Sequence, residues 1–200
     1  MRLAEKTLQT KIGTHPHTGQ FMPFKKLRSS IEYQGKTFTI RRDYLRTPDN
    51  RETIVDIVEH PGSAILIPID ASNNILFVRQ YRHSAEKNLL ELPAGKIEPG
   101  ENPKECAARE IREETGMQAG VLTELGEFYL APGYSTEFMV VFLATDLSPN
   151  PLAPDANEFL RVEPVPVAEA IQKAERGEVP DAKSLAALFL AKSHLEKWLE

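Results

Sequence analysis

The stretch from Gly95 to Met117, GKIEPGENPKECAAREIREETGM, constrains this chain more than any other part of it. Asn102 can cap a helix, Pro103 suits a first turn where a missing N–H costs nothing, and Gly116 can end the helix in a left-handed conformation. Glu110 stands three residues before Glu113 and four before Glu114, so the three carboxylates share one helical face. Like charges at that spacing destabilise a bare helix, so the cluster calls for a counter-charge. A hard divalent cation is the natural candidate, because Mg²⁺ takes carboxylate, carbonyl and water oxygens together. Ala107, Ala108, Ile111 and Met117 supply apolar positions for burial. A solvated acidic face is the plain alternative for most charge runs. It fails here because the acids belong to a longer fixed register.

The rest of the chain divides unequally. Residues from Met1 to about Asn50 are basic, with Lys25, Lys26, Arg28, Arg41, Arg42 and Arg46, and the first twenty show no periodicity. IEYQGKTFTIRRDYL alternates like a hairpin turning at Gln34-Gly35, and Arg51 to Val58 reads as a further strand. From His60-Pro61-Gly62 the pattern deepens. SAILIPI and NILFVRQY are apolar strands joined by the polar turn Asp70 to Asn74, and LLELPAG leads into the acidic helix. FMVVFLAT is another strand, followed by a proline-rich loop, SPNPLAPDANE, and the short strand FLRVEPV. Helices are expected from Val167 to about Arg176 and from Ala182 to about Trp198. Mixed strands with helices before and after them predict an α/β sandwich.

Composition sets bounds. The 200 residues suffice for one well-buried core with a small appended subdomain, and 41% hydrophobic with 26% charged residues is ordinary for a globular chain. A net charge of −5 argues against a broad nucleic-acid surface. The single cysteine, Cys106, cannot form an internal disulfide and suits a reducing, cytoplasmic setting. No apolar run reaches membrane-spanning length and no signal peptide is expected. The five histidines show no metal-ligand spacing.

Gly95, five residues, Glu101, seven residues, then Arg109-Glu110-Ile111-any-Glu113-Glu114-any-Gly116-Met117 is the complete Nudix signature. Seven fixed identities at fixed offsets arise by chance with odds far below about one in a million. Beyond this box, EHPGSAILIPI, VRQYR, LLELPAG, FYLAPGYSTE and DANEFLRVEPV resemble the ADP-ribose pyrophosphatase branch of the Nudix hydrolases. Pro132, sixteen residues past Gly116, is similar to the proline that marks substrate preference in that branch. The resemblance implies a Nudix α/β/α sandwich with a mixed sheet, preceded by a small antiparallel β subdomain. It divides the chain into a β arm for dimerisation at 1–58 and a hydrolase domain at 59–200, and implies a homodimer.

It also implies site roles. Glu110 and Glu114, helped by the Ala94 carbonyl, would hold Mg²⁺, with Mn²⁺ as the alternative ion. Glu113 would contribute directly or through water. Arg109 would hold the glutamates rather than touch substrate, and Glu101 would either pair with Arg109 or join an extra metal. Arg82 would contact diphosphate or ribose, and Glu91 would lie near the sugar or metal. Arg51 and Arg79 are substrate candidates set against surface salt bridges. Tyr134 would touch base or ribose, or simply pack. The general base of the branch comes from a late acidic loop, which here reads Asp155-Ala156-Asn157-Glu158. Ala156 replaces one glutamate of the usual pair, leaving Glu158 or a glutamate of the box to act.

The implied activity is Mg²⁺-dependent hydrolysis of a nucleoside diphosphate sugar, first ADP-ribose to AMP and ribose 5-phosphate. GDP-mannose or another nucleotide sugar is the alternative substrate. A non-catalytic Nudix module that senses such a metabolite is the alternative class.

Overall fold

The computed structural model describes residues 23–154 and 159–198. Its strands run β1 (Lys25–Gln34), β2 (Thr39–Arg46), β3 (Glu52–Glu59), β4 (Ser63–Pro68), β5 (Asn74–Arg82), β6 (Lys87–Glu91) and β7 (Ala94–Lys96). After helix α1 (Pro103–Thr115) come β8 (Met117–Tyr129), β9 (Phe138–Pro149) and β10 (Leu160–Pro166). Helices α2 (Val167–Glu175) and α3 (Ala182–Leu195) follow, and a 3₁₀ turn spans Glu196–Trp198.

Every residue of β4 is buried, the pattern of a central strand covered on both faces. It sits in a mixed four-stranded sheet ordered β7-β4-β9-β8, parallel to β9 and antiparallel to β7. The two-residue period of a strand sends alternate side chains to opposite layers. Ala64 and Leu66, with Val140, Phe142 and Ala144, pack on Cys106, Ala107 and Ile111 of α1. Ile65 and Ile67, with Met139, Val141 and Leu143, face the other way. They meet Phe77 of the antiparallel sheet β10-β5-β6, together with Ala170 of α2 and Leu188 of α3. Each such fully buried aliphatic or aromatic side chain is worth about 1.5–3 kcal/mol. The architecture is the expected α/β sandwich with a mixed sheet.

The third sheet, β1-β2-β3, is the small antiparallel subdomain that precedes it. Its hairpin closes where Gly35 N–H donates to Phe38 O at 3.0 Å. It joins the sandwich through Val58, whose N–H donates to Tyr134 O at 2.8 Å and whose carbonyl accepts from Thr136 N–H at 3.0 Å.

Local expectations fare unevenly. The box helix forms with Asn102 accepting from Lys104 and Glu105 N–H, Glu105 closing the capping box, and Gly116 left-handed at φ 73. The turn at Asp70 forms too: its carboxylate accepts from Ser72 and Asn74 N–H, and Asn73 takes φ 62. β8 was not expected at all. MQAGVLTELGEFY is largely solvent-accessible and carries Gly120 and Gly126, the second at a break in register with β9, so its alternation is blurred. LLELPAG resolves into two short strands, β6 and β7, separated by Leu92 and Pro93. β9 runs on to Pro149, so the proline-rich loop begins later than its composition suggests.

Candidate active site

Helix α1 lies against β7, and the site is built in that seam. The Glu110 carboxylate rests over Gly95 so closely that a Cβ there would stand 1.7 Å from Oε1. Glu114 is 6% exposed and accepts from Ala94 N–H at 3.3 Å. Cys106 is buried beneath, its Sγ 3.5 Å from the Gly95 carbonyl oxygen, and burial pushes the thiol up to about 12. A thiol held protonated at neutral pH is a packing group, not a nucleophile.

Arg109 gathers the acids. Its Nε and Nη2 donate to the two oxygens of Glu101 at 3.0 and 2.9 Å. Its Nη1 donates to Glu110 at 2.6 Å and Glu113 at 2.9 Å, and Nη2 also reaches the Lys96 carbonyl at 3.0 Å. The Glu101 hydrogen bonds, with Glu110 and Glu113, raise the guanidinium pKa further. Arg109 in turn holds the Glu101 carboxyl below its ordinary value, against a smaller opposing effect of burial.

A cleft of about 1030 Å³ opens beside this cluster, and Arg82, Ala94, Arg109, Glu110 and Glu113 line it. On the same wall Glu91, 1% exposed, accepts from Arg82 Nε and Nη2 at 2.8 Å each and from Lys183 Nζ. Lys183 also pairs with Asp181 at 2.9 Å. Burial alone would raise the Glu91 pKa, but Arg82 and Lys183 together hold it below the ordinary 4.5.

Glu91 and Glu101 thus share a pH signature. A carboxyl whose folded pKa is depressed stabilises the fold fully above its unfolded value and loses that contribution as pH falls through the lower folded one. The urea midpoint is expected to hold steady from about pH 7 to 5.5 and to drop below the ordinary carboxyl value of 4.5. A midpoint that rose on acidification would contradict these ion pairs.

The remaining candidates are scattered. Arg51 is exposed, pairs with Asp49 at 2.6 Å and does not line the cleft. Arg79 forms a two-pronged pair with Glu163, both bonds 2.8 Å. Pro132 follows Ala131, whose carbonyl accepts from Tyr134 and Ser135 N–H, and it too stands outside the cleft lining. Glu158 and Ala156 lie outside the described residues. Sequence reasoning gave no role to several residues of the lining, among them Lys36, His60, Glu137 and Lys183. His60 Nδ1 accepts from Gly62 N–H at 3.2 Å and lies 4.0 Å from Glu137. Burial, with Lys96, keeps its pKa low despite Glu137. Only HPG and STE hinted at these positions, and neither carries a metal spacing.

Among the described residues, no three His, Cys, Asp or Glu side chains already converge as a metal shell, and Arg109 pairs with three of the box carboxylates. The donor set nonetheless fits a hard cation. It is all oxygen, it includes two nearly buried carboxylates, and Gly95 leaves the room at Glu110 that any side chain would fill.

Comparison with known proteins agrees with this geometry. The NUDIX domain family matches residues 59–188. An ADP-ribose pyrophosphatase of Bacillus subtilis (strain 168) is 35% identical over 158 residues, 78% of this chain and 85% of that protein. The ADP-ribose pyrophosphatase of Mycobacterium tuberculosis is 36% identical over 169 residues, covering 83% and 82%. A crystal structure of an ADP compounds hydrolase superposes with a TM-score of 0.80 at 26% identity, covering 90% of this chain and 98% of its own. No helix among the described residues is long and apolar enough to cross a membrane. The family match takes in the acidic helix and most of the residues that line the cleft, and the chain belongs to the Nudix family as a Nudix hydrolase.

Proposed function

We propose that this hydrolase cleaves the pyrophosphate bond of a nucleoside diphosphate sugar in a Mg²⁺-dependent reaction, with ADP-ribose as the substrate and AMP and ribose 5-phosphate as products. The observation that carries the reading is the seating of Glu110 and Glu114 against the β7 backbone beside a cleft that also holds Arg82. The names of the two pyrophosphatase relatives support the substrate.

Glu110 and Glu114, with the Ala94 carbonyl, would hold the cation, and Glu113 would complete the set. A divalent cation held there supplies neutralisation of the diphosphate and acidification of the attacking water. The chain's own groups do the positioning on which phosphoryl transfer depends. Arg109 keeps three carboxylates from splaying apart. Arg82, anchored on Glu91, presents its remaining N–H groups to phosphate oxygens. The proton of the attacking water passes to a carboxylate as the bridging P–O bond breaks and the sugar phosphate departs. Glu158 or Glu113 takes that proton. Glu113 lines the cleft, and its side chain is more open, at 22%, than that of Glu110, at 9%.

The protein is read as a cytoplasmic homodimer. The arm sheet exposes Leu27, Ile31, Tyr33 and Ile54, apolar area that a second copy would cover.

Release of nucleoside monophosphate from ADP-ribose, ADP-glucose, GDP-mannose and diadenosine polyphosphates, first with Mg²⁺ and then with EDTA, tests the reading. EDTA-sensitive AMP release from ADP-ribose in preference to the others is expected. Preference for GDP-mannose would move the substrate and keep the mechanism. Binding without turnover of any compound would replace the enzyme by a sensing module.

A further inference from the structure

Glu91 is an odd residue to find at the bottom of a wall. It is 1% exposed, and burying a carboxylate is costly unless its oxygens are fully met. Arg82 meets both of them with a two-pronged pair, and a second cation, Lys183, lies on Oε2.

Lys183 is held with care. Asp181 caps α3 by accepting from Ser184 N–H at 3.0 Å, and the Ser184 hydroxyl accepts from Leu92 N–H at 2.8 Å, just past the end of β6. The first turn of α3 is thereby tied to the strand that carries Glu91, and Asp181 takes a second N–H of the ammonium at 2.9 Å. The lysine side chain is 16% exposed, so most of its rotamer freedom is already lost. One of its three N–H donors remains without a partner among the described residues, as do three of the five on Arg82. Both side chains line the cleft that Glu110 and Glu113 line.

Charge balance explains why the wall has this form. Arg82 and Lys183 are offset by Glu91 and Asp181, so the wall is close to neutral. A strongly positive wall would repel a divalent cation at the neighbouring carboxylates. A neutral wall that still offers fixed N–H donors serves an anion without doing so.

We propose that Lys183 is a substrate-binding residue that acts beside Arg82, donating to non-bridging diphosphate oxygens in the cleft. This rests on the nucleoside diphosphate reading above. Lys183 sets affinity for the diphosphate, and Glu91 is the positioning residue for both cations.

Binding of ADP in the presence of Mg²⁺, measured by titration calorimetry, tests this without requiring turnover, because ADP has the diphosphate and no sugar linkage to cleave. Lys183→Met is expected to weaken ADP binding roughly tenfold to a hundredfold, the scale of one lost charge-assisted hydrogen bond. Lys183→Arg is expected to restore most of it. On the best substrate of the panel, KM should rise by a similar factor while kcat stays within about twofold. Lys183→Gln, which keeps a donor for Glu91, covers the case in which the methionine variant fails to fold, and it should show the same loss. Wild-type ADP affinity in a folded Lys183→Met or Lys183→Gln protein would overturn the proposal, as would a fall in kcat at unchanged KM, the mark of an interaction made only in the transition state. Failure of the pyrophosphatase reading looks different: no compound is turned over, whatever residue stands at 183.

Discussion

Glu114→Gln is expected to lower kcat/KM by roughly a thousandfold while leaving the fold intact, on the scale seen when a single charge-stabilising group is lost from an active site. The substitution is isosteric. The amide oxygen can still accept from Ala94 N–H, the 3.3 Å bond that seats this side chain against β7. What disappears is one negative charge from a face that also carries Glu110 and Glu113. Without metal, relief of like-charge repulsion offsets the weaker hydrogen bond, and stability should change by less than about 1 kcal/mol. With Mg²⁺ the two proteins should part. A cation at a hundredfold excess over its Kd stabilises the wild type by about 2.7 kcal/mol, and the variant should lose most of that gain. Thermal unfolding with and without Mg²⁺, run beside the activity assay, reads both effects. Wild-type turnover by the variant would remove Glu114 from the metal site.

Gly95→Ala tests the other half of the seam. Alanine's methyl would stand 1.7 Å from Glu110 Oε1 and 1.8 Å from its carboxyl carbon, far inside contact distance. The carboxyl must leave, and it can, because it ends a flexible side chain. The strand pairing of Gly95 with Ala64 involves backbone only, so β7 itself should persist. Activity is expected to fall about a hundredfold, with a weaker response to Mg²⁺ and a circular dichroism spectrum like that of the wild type. Since both substitutions act on one site, their combined effect should be smaller than the product of the two. Unchanged Mg²⁺ dependence in Gly95→Ala would show that the position of Glu110 over β7 is not the functional one.

The acidic face of α1 was the most legible part of this protein. Helix signals at Asn102, Pro103 and Gly116 are local, and a three-and-four spacing is a property of any helix, so α1 and its acids could be read without knowing what packs on them. The buried runs of β4 and β9 were legible for a similar reason, since six or more apolar residues in a row need cover on both faces. β8 was not. Its residues stay largely accessible and its glycines interrupt the pattern, so what holds it in place is antiparallel pairing with the next strand, β9, rather than burial. The wall that carries Arg82 and Lys183 divided the same way. VRQYR and LLELPAG pointed to Arg82 and Glu91 individually, but nothing local pairs them, and nothing at all in AKSLAALF marks Lys183 as their neighbour.

The sequence alone therefore determined the chemistry of the carboxylate cluster and the class of fold that carries it, because both depend on short-range periodicity and fixed spacing. Tertiary structure decided which cations face that cluster. Arg82 and Lys183 are 101 positions apart in the chain and meet only because Glu91, buried between them, is satisfied by both. Burial makes that pairing obligatory, and burial is a property of the packed layers rather than of any segment read by itself.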